Sequence, residues 1–368
     1  MAQKFLGFAI SIIFIALIVT TAWYALATID QKTRIRTRDA LQTVLLSTQE
    51  TLHIWVNQRK LDTLELARND TLIRLTRDLI NEKHKSESKE YQSVLALIRN
   101  FMRPKLSRYG DRDFFIIFTD KKNIASMRNT NIGKQNLIQT QRKEYLANAF
   151  EGETMFIPTI HSDIRLTNDS NLSNENEPSI FIASPLNDFD GKLLAVLAIQ
   201  INLNRQFTRI TQLGRLGQTG ETYAFDEKAT LISESRFDDQ LRRIGLVATD
   251  SRGILSIRVA DPGGNLLKGY KAKQTTDEMP LTKMAKNAKN GVSASDTSGY
   301  RDYRGVEVFG ARLWDKELGF GLTTEIDAEE AMQPFYETRI AIGIIVLLTV
   351  ILWLVFSIIH YRNFNKPI

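Results

Sequence analysis

Two uncharged apolar segments, Phe5 to Ile29 (FLGFAISIIFIALIVTTAWYALATI) and Ile340 to Ile359 (IAIGIIVLLTVILWLVFSII), bracket nearly the whole of this 368-residue chain. At ~1.5 Å per residue, each is long enough as a helix to cross a hydrocarbon layer of ~30 Å. Trp23, Tyr24, Trp353 and Tyr361 fall near the expected interfaces. A cleavable signal peptide carries an apolar region of only ~7 to 15 residues, so the first segment reads as a membrane helix. Whatever lies between must fold as one body tethered at both ends.

Lys4 precedes the first span, whereas Lys32, Arg34 and Arg36 follow it, so local charge alone would place residues 30–338 inside. A connecting stretch of that length escapes the charge rule, and Arg362 and Lys366 follow the second span. Both ends are therefore expected in the cytoplasm and residues 30–338 outside. The absence of cysteine excludes disulfides and thiolate chemistry. The net charge of +6 is spread along the chain, as on a solvated surface, and nucleic acid is not an expected partner.

Residues 31 to about 100 lack Gly and Pro, and Leu41, Val44, Leu45, Leu52, Trp55, Leu61, Leu64, Leu72, Leu75 and Leu79 recur mostly three or four apart. This period predicts a long amphipathic helix over 30–110, with a possible break, whose stripe faces the following domain and a second copy of itself. From Asp113 the period becomes that of strands. DFFIIFTDKKNIASMR reads as strand, turn, strand; PSIFIASPL and GKLLAVLAIQINL read as two more, joined by DFDG. NDSNLSNENEP, residues 168–178, is a polar loop.

The pattern then repeats. Ile124-Ala-Ser-Met-Arg128 recurs as Ile232-Ser-Glu-Ser-Arg236, and the pair SPL and LAIQIN (184–186, 197–202) is echoed by ARL and LTTEID (311–313, 322–327). The expected fold class is α+β: a long N-terminal helix, then two related antiparallel-sheet halves, flanked by two transmembrane helices. The expected boundaries are 1–4 cytoplasmic, 5–29 membrane, 30–110 long helix, 111–212 distal half, 213–338 proximal half, 339–360 membrane and 361–368 cytoplasmic.

Catalytic chemistry is not legible. Gly217 and Gly220 in GQTGETYAF suggest a phosphate loop, but the Lys-Ser/Thr of a Walker loop is missing and Glu221 would repel a phosphate. A strand follows where a helix N-terminus is required, so the stretch reads as a tight turn entering a strand. His53, His84, His161 and His360 have neither Cys partners nor zinc spacing. His161-Ser162-Asp163 are neighbours, which a catalytic relay does not need, and read as lining a pocket. No enzyme activity, metal or cofactor is expected.

The order of membrane helix, long helix, two halves and membrane helix, with GETYAFD, SESRFDDQLR, PLTKMAKNA, GYRDYRGVEVFGARLW and GLTTEIDAEEA, resembles a family. It is similar to the double-Cache, PAS-like extracellular sensor domains of bacterial chemoreceptors, histidine kinases, cyclases and some Ser/Thr kinases. The resemblance covers about residues 30–338. It implies a periplasmic sensor in a bacterial inner membrane whose distal half binds a small ligand and whose proximal half signals to the second span. Family members normally continue into an output module, whereas HYRNFNKPI leaves about nine residues after the second span. The chain is therefore expected to act with a cytoplasmic partner or as part of a larger receptor enzyme. A membrane-anchored module binding a periplasmic protein is the alternative.

Amino-acid-binding members hold the ligand carboxylate with an Arg-x-Trp-Tyr run and its amine with an Asp on a later strand. The matching run here is Arg142-Lys143-Glu144-Tyr145, without the Trp, and Gln200 stands where the Asp would fall. The resemblance thus implies a polar or anionic small ligand and weakens the case for an amino acid. Arg128 ends a distal strand in reach of a pocket, where a guanidinium suits an oxyanion. Tyr109, Arg112, His161, Ser162 and Asp163 lie on segments that the family places near the pocket. The candidate ligand-binding set is Arg128, Arg142, Tyr145, His161, Asp163, Gln200 and Tyr109. Glu234, Arg236, Tyr300, Arg301 and Asp302 are expected to brace turns in the proximal half.

Overall fold

The computed structural model describes residues 2–82, 88–160, 179–203, 205–248, 253–254 and 256–364, with backbone alone for 2–8 and 360–364. His84, His161, Ser162, Asp163 and the polar loop 168–178 lie outside the described residues.

Helix α1 runs unbroken from Ala2–Ala67, about 100 Å at ~1.5 Å per residue. Its N-terminal part is the first candidate membrane span, and α10 (Gln333–Phe364) holds the second. The two meet there, with the Phe14 and Trp353 rings 4.3 Å apart between centroids. Beyond the span, Leu41, Leu45, Thr48, Leu52, Val56, Arg59, Thr63 and Ala67 are buried at spacings of three and four, which places one continuous stripe against both sheets. Ile35, Leu46, Ile54 and Leu61 stand exposed on the opposite side.

The segment read as one long helix with a possible break holds three helices among the described residues. At Arg68-Asn69 the chain turns, and the Asn69 carboxamide accepts from the Thr71 and Leu72 amides at 3.1 and 3.4 Å. That caps α2 (Asp70–Glu82). Ser88 caps α3 (Lys89–Tyr109), accepting from Tyr91 N at 3.1 Å, and Gly110 closes it in the left-handed conformation. Both helices lay their apolar faces on the first sheet, where Leu72, Leu79, Tyr91, Leu95, Ile98 and Met102 pack on Phe114, Ile116, Leu197 and Ile199. An amphipathic period describes a helix folded back on a sheet as well as one that continues.

The distal half contains β1 (Asp113–Ile117), β2 (Asn123–Ser126), α4 (Leu137–Gln141), α5 (Lys143–Phe150), β3 (Met155–Ile160), β4 (Ser179–Asn187) and β5 (Leu193–Ile201). The strands form one antiparallel sheet in the order β2-β1-β5-β4-β3. Strand β3, MFIPTI, is not among the strands read from the sequence; its Pro158 is tolerated because β3 lies at the sheet edge.

The proximal half contains α6 (Gln206–Leu213), β6 (Glu221–Phe225), α7 (Asp238–Arg243), α8 (Lys283–Lys289), β7 (Ala294–Arg301), β8 (Glu307–Asp315), β9 (Phe320–Asp327) and α9 (Ala328–Ala331). Its sheet runs β6-β9-β8-β7, and Leu231 bridges Phe225 on the outer side of β6, where β2 stands in the distal half. The two halves therefore repeat one strand order, as the echoed motifs require: SPL and LAIQIN lie on the β4-β5 hairpin, ARL and LTTEID on the β8-β9 hairpin. A shared core joins the halves through α1, with Leu52 and Val56 between Ile180 and Ile182 on one side and Phe309, Phe320 and Leu322 on the other.

Candidate functional site

Alternation along the distal strands puts Phe115, Ile117, Phe181, Ala183, Val196 and Ala198 on the face away from α2 and α3, under Ile138 and Leu146 of α4 and α5. The same alternation carries Asp113, Ser179 and Gln200 onto this face, and the register aligns them. Asp113 pairs with Gln200, which pairs with Phe181, and Ser179 pairs with Ile160 beside Thr159. A polar row thus crosses one end of an apolar floor. The Gln200 amide donates to Ser179 Oγ at 2.6 Å, and Ser126 Oγ donates to Asp113 Oδ2 at 2.9 Å.

Arg142 reaches this row from the corner between α4 and α5. Its Nη2 donates to the Thr159 carbonyl at 3.2 Å, and its Nη1 lies 3.3 Å from Glu227 of the proximal half. Among the described residues, its Nε and the buried Thr159 hydroxyl have no partner. Buried polar groups rarely stay unpaired, so this pair of orphans marks an unfilled polar requirement. Tyr145 packs against the same apolar cluster, one helical turn on from Arg142.

Asp113 supplies the carboxylate that the residue at 200 lacks, but it is already committed. Oδ1 accepts from the Phe114 and Met127 amides at 2.7 and 2.8 Å, and Oδ2 from Ser126 and from Asn131 at 3.3 Å. Burial raises its pKa, opposed by these donors and by the charge of Arg128. Asp113 therefore braces the strand pair.

The remaining candidates separate. Arg128 is exposed; its amide donates to Ser126 Oγ at 3.2 Å. Tyr109 is not on this face: it ends α3, with the Arg59 guanidinium of α1 stacked 4.2 Å above its ring. There Arg59 also pairs with Asp111, whose carboxyl burial pushes up to about 6 against that attraction. Arg112 joins the sheet through its amide, which donates to the Gln200 carbonyl at 2.9 Å. Sequence reasoning missed Ser179 and Asp113, which share a face only once the register is known, and Thr159, which lies in the strand irregularity between Ile157 and Ile160.

In the proximal half the glycine turn does hold an anion, an internal one. Glu330, on α9, accepts from the Gln218 and Thr219 amides at 2.6 and 2.7 Å and from the Thr219 hydroxyl. Partial burial opposes its charge, but these donors overcome it and hold its pKa below the usual range. Gly217 has φ +64°, and a Cβ there would lie 2.4 Å from Glu330 Oε1. Among the turn-bracing residues, Arg236 donates through Nη1 to the Gly220 carbonyl at 2.7 Å, and Arg301 pairs with Asp261 at 2.8 Å. Among the described residues no group of His, Asp and Glu is arranged to hold a metal.

No family model matches the chain, and no curated protein matches it. Solved structures do. The sensor domain of the histidine kinase DctB of V. cholerae is 10% identical over 78% of this chain and 95% of its own, with a TM-score of 0.44. The sensory domain of the Campylobacter jejuni chemoreceptor Tlp3 is 14% identical over 84% and 98%, with a TM-score of 0.43. The ligand-binding domain of the Pseudomonas aeruginosa PAO1 amino acid chemoreceptor PctB, solved with L-Arg, is 14% identical over 80% and 97%, also at 0.43. Likeness at this level does not specify a ligand, and the fold rests on the strand order itself. In its motifs, its element order and its repeated sheets, the chain resembles the double-Cache sensor domains.

Proposed function

We propose that this protein is a transmembrane sensor of the bacterial inner membrane, not an enzyme, whose two-sheet domain lies in the periplasm and binds a small polar or anionic molecule on the distal sheet. The observation that carries this reading is the Arg142 corner: a guanidinium bonded to the Thr159 carbonyl, with its Nε and the Thr159 hydroxyl both without a partner among the described residues, stands at the end of the Ser179–Gln200 row beside an apolar floor closed by α4 and α5. Such a mixture of apolar lining and few polar groups is what small-ligand sites use. Arg142 would hold an oxyanion by its planar fork, with Thr159 and Gln200 fixing its orientation. With Asp113 fully engaged, an α-ammonium has no free carboxylate in the row. Binding would reach the membrane through Arg142–Glu227, which ties the distal corner to the proximal half, and then through β9 into α10.

The exposed stripe Ile35, Leu46, Ile54 and Leu61 of α1 suits a parallel homodimer, and a cytoplasmic partner or linked output module would read the movement of α10. The full chain in detergent, screened by thermal unfolding against small mono- and dicarboxylates, inorganic phosphate and amino acids, is expected to gain several degrees with one anionic class and less with amino acids. Silence across the panel, with a periplasmic protein co-purifying in stoichiometric amount, would favour the protein-binding module instead.

A further inference from the structure

On the inward face of the proximal sheet, Glu221 of β6 and Glu325 of β9 are directly opposite each other, and both are buried. Asp302, in the turn after β7, is buried beside them. Glu221 accepts from Ser235 Oγ at 2.9 Å, the Arg236 amide at 2.7 Å and the Tyr303 hydroxyl at 2.6 Å. Glu325 accepts from the Tyr300 hydroxyl of β7 at 2.7 Å. The cations are turned elsewhere. Arg304 spans Asp302 and Asp327 at 2.6 and 2.7 Å, Arg236 reaches the Gly220 carbonyl, and Arg312 of β8 reaches the Val292 carbonyl at 3.1 Å. Among the described residues, no cation touches either glutamate.

Two charged carboxylates on adjacent strands, out of water and with no cation in contact, cannot both persist; the charge of Arg304 favours an ionised Glu221, so one of the pair keeps its proton. Glu325 has the fewer donors, so it is the holder. Two further hydroxyls face the same space. Thr323 and Tyr223 pair in register on this side of the sheet, both fully buried; among the described residues the Thr323 hydroxyl has no partner, and the Tyr223 hydroxyl, outside ideal hydrogen-bond geometry, still stands close enough to Glu325 to favour its ionised form. An ionised Glu325 would draw the Tyr223 hydroxyl into a full hydrogen bond, whereas the protonated acid engages it only weakly. The face is closed by Met284, Ala285 and Ala288 of α8, all at 0% exposure, so the occupant that fits is a proton.

The placement of Glu325 gives this proton a mechanical outlet. Two residues on, Asp327 ends β9, held by Arg304 and by its own amide, which donates to Thr219 Oγ1 at 3.1 Å. Glu330 follows in the grip of the 217–220 turn, and α10 starts at Gln333. We propose that Glu325 is a proton-operated switch, and that loss of its proton draws β9 toward Tyr223 of β6 and shifts α10 through Asp327 and Glu330.

Burial pushes the Glu325 carboxyl up to about 8, with the neighbouring charges of Asp302 and Glu221 adding to it and hydrogen bonding from Tyr300 and Tyr223 opposing. Because the folded chain holds this proton more tightly than the unfolded one, stability from it is complete below the ordinary carboxylate range and is lost as pH rises toward 8. The switch therefore works in the neutral to mildly alkaline window.

The chain has no cysteine, so Leu267→Cys and Ile340→Cys place two spin labels cleanly on the proximal half and α10. The full chain in lipid nanodiscs, without added ligand, is titrated from pH 5 to 9 while the carboxylic-acid C=O band and the label separation are followed. Wild type is expected to lose an acid band with a midpoint near 8, with the separation changing in step. Glu325→Gln should abolish both transitions, and Glu221→Gln, which removes a repelling neighbour, should move the midpoint to lower pH. A titrating band that survives Glu325→Gln, or a separation constant across the range, overturns the proposal. Should Glu325→Gln fail to fold, an unmoved midpoint in Glu221→Gln does the same.

Discussion

Replacing Arg304 by Leu is expected to lower the unfolding midpoint of the full chain by roughly 10 °C or more, from a loss of about 3 to 5 kcal/mol. The guanidinium is buried, its fork is shared between Asp302 and Asp327, and it stacks 3.6 Å from the Phe237 ring centroid. Burial alone would make it easier to deprotonate; Asp302, Tyr303, Asp327 and Glu221 around it reverse that and raise its pKa. Its removal leaves Asp302 as an uncompensated buried charge, already raised in pKa by burial and restrained mainly by Arg304. The check is thermal unfolding of Arg304→Leu against the double variant with Asp302→Asn. The double variant should recover part of the loss, because the penalty comes mostly from the stranded carboxylate. An Arg304→Leu chain as stable as wild type would show that the buried charge network of the proximal half contributes little.

Gly220→Ala is expected to cost about 3 kcal/mol or more, beyond the usual range for adding one methyl group to a packed site. A Cβ at residue 220 would lie 1.9 Å from the Leu216 carbonyl oxygen and 2.5 Å from its nitrogen. These are backbone atoms that cannot swing aside, so the whole turn must move. The same turn presents the amides that hold Glu330, so its displacement also frees the base of α10. Gly217→Ala meets side-chain ends, Glu330 Oε1 at 2.4 Å and Ile326 Cδ1 at 3.3 Å, and pays the left-handed backbone strain of ~1 to 2 kcal/mol. The measurement is a denaturant midpoint for both variants, and the expected order is Gly220→Ala below Gly217→Ala below wild type. The opposite order would mean that the turn is held by Glu330 more than by its own backbone packing.

The sequence made some of this architecture plain and concealed the rest for definable reasons. Apolar runs announced the two spans and the four strands of the distal hairpins, because burial on both faces leaves little alternation to misread. The echo of IASMR in ISESR revealed the duplication although the second copy forms only isolated bridges around Leu231. The turn at Arg68-Asn69 was hidden because an apolar stripe continues across it. Within the distal site, Arg142, Tyr145 and Gln200 stood in motif positions, whereas Thr159 and Ser179 are single polar residues in apolar strands that gain meaning only from register. Tyr109 was drawn to the candidate set by its segment, whereas its ring stacks with Arg59 of α1. The Glu221, Asp302 and Glu325 cluster draws on three separate stretches, and nothing local in LTTEID distinguishes a buried acid from a solvated one.

The most direct test of the sensor account is calorimetric titration of the anionic compound that stabilises the full chain best, against wild type, Arg142→Ala and Arg128→Ala. Charge-assisted hydrogen bonds of about 1.5 to 3 kcal/mol place Arg142→Ala roughly 10- to 150-fold weaker than wild type. The exposed Arg128 should matter only a few-fold. Equal affinity in wild type and Arg142→Ala, for a compound that does bind, would contradict the assignment of the ligand site to the distal sheet corner.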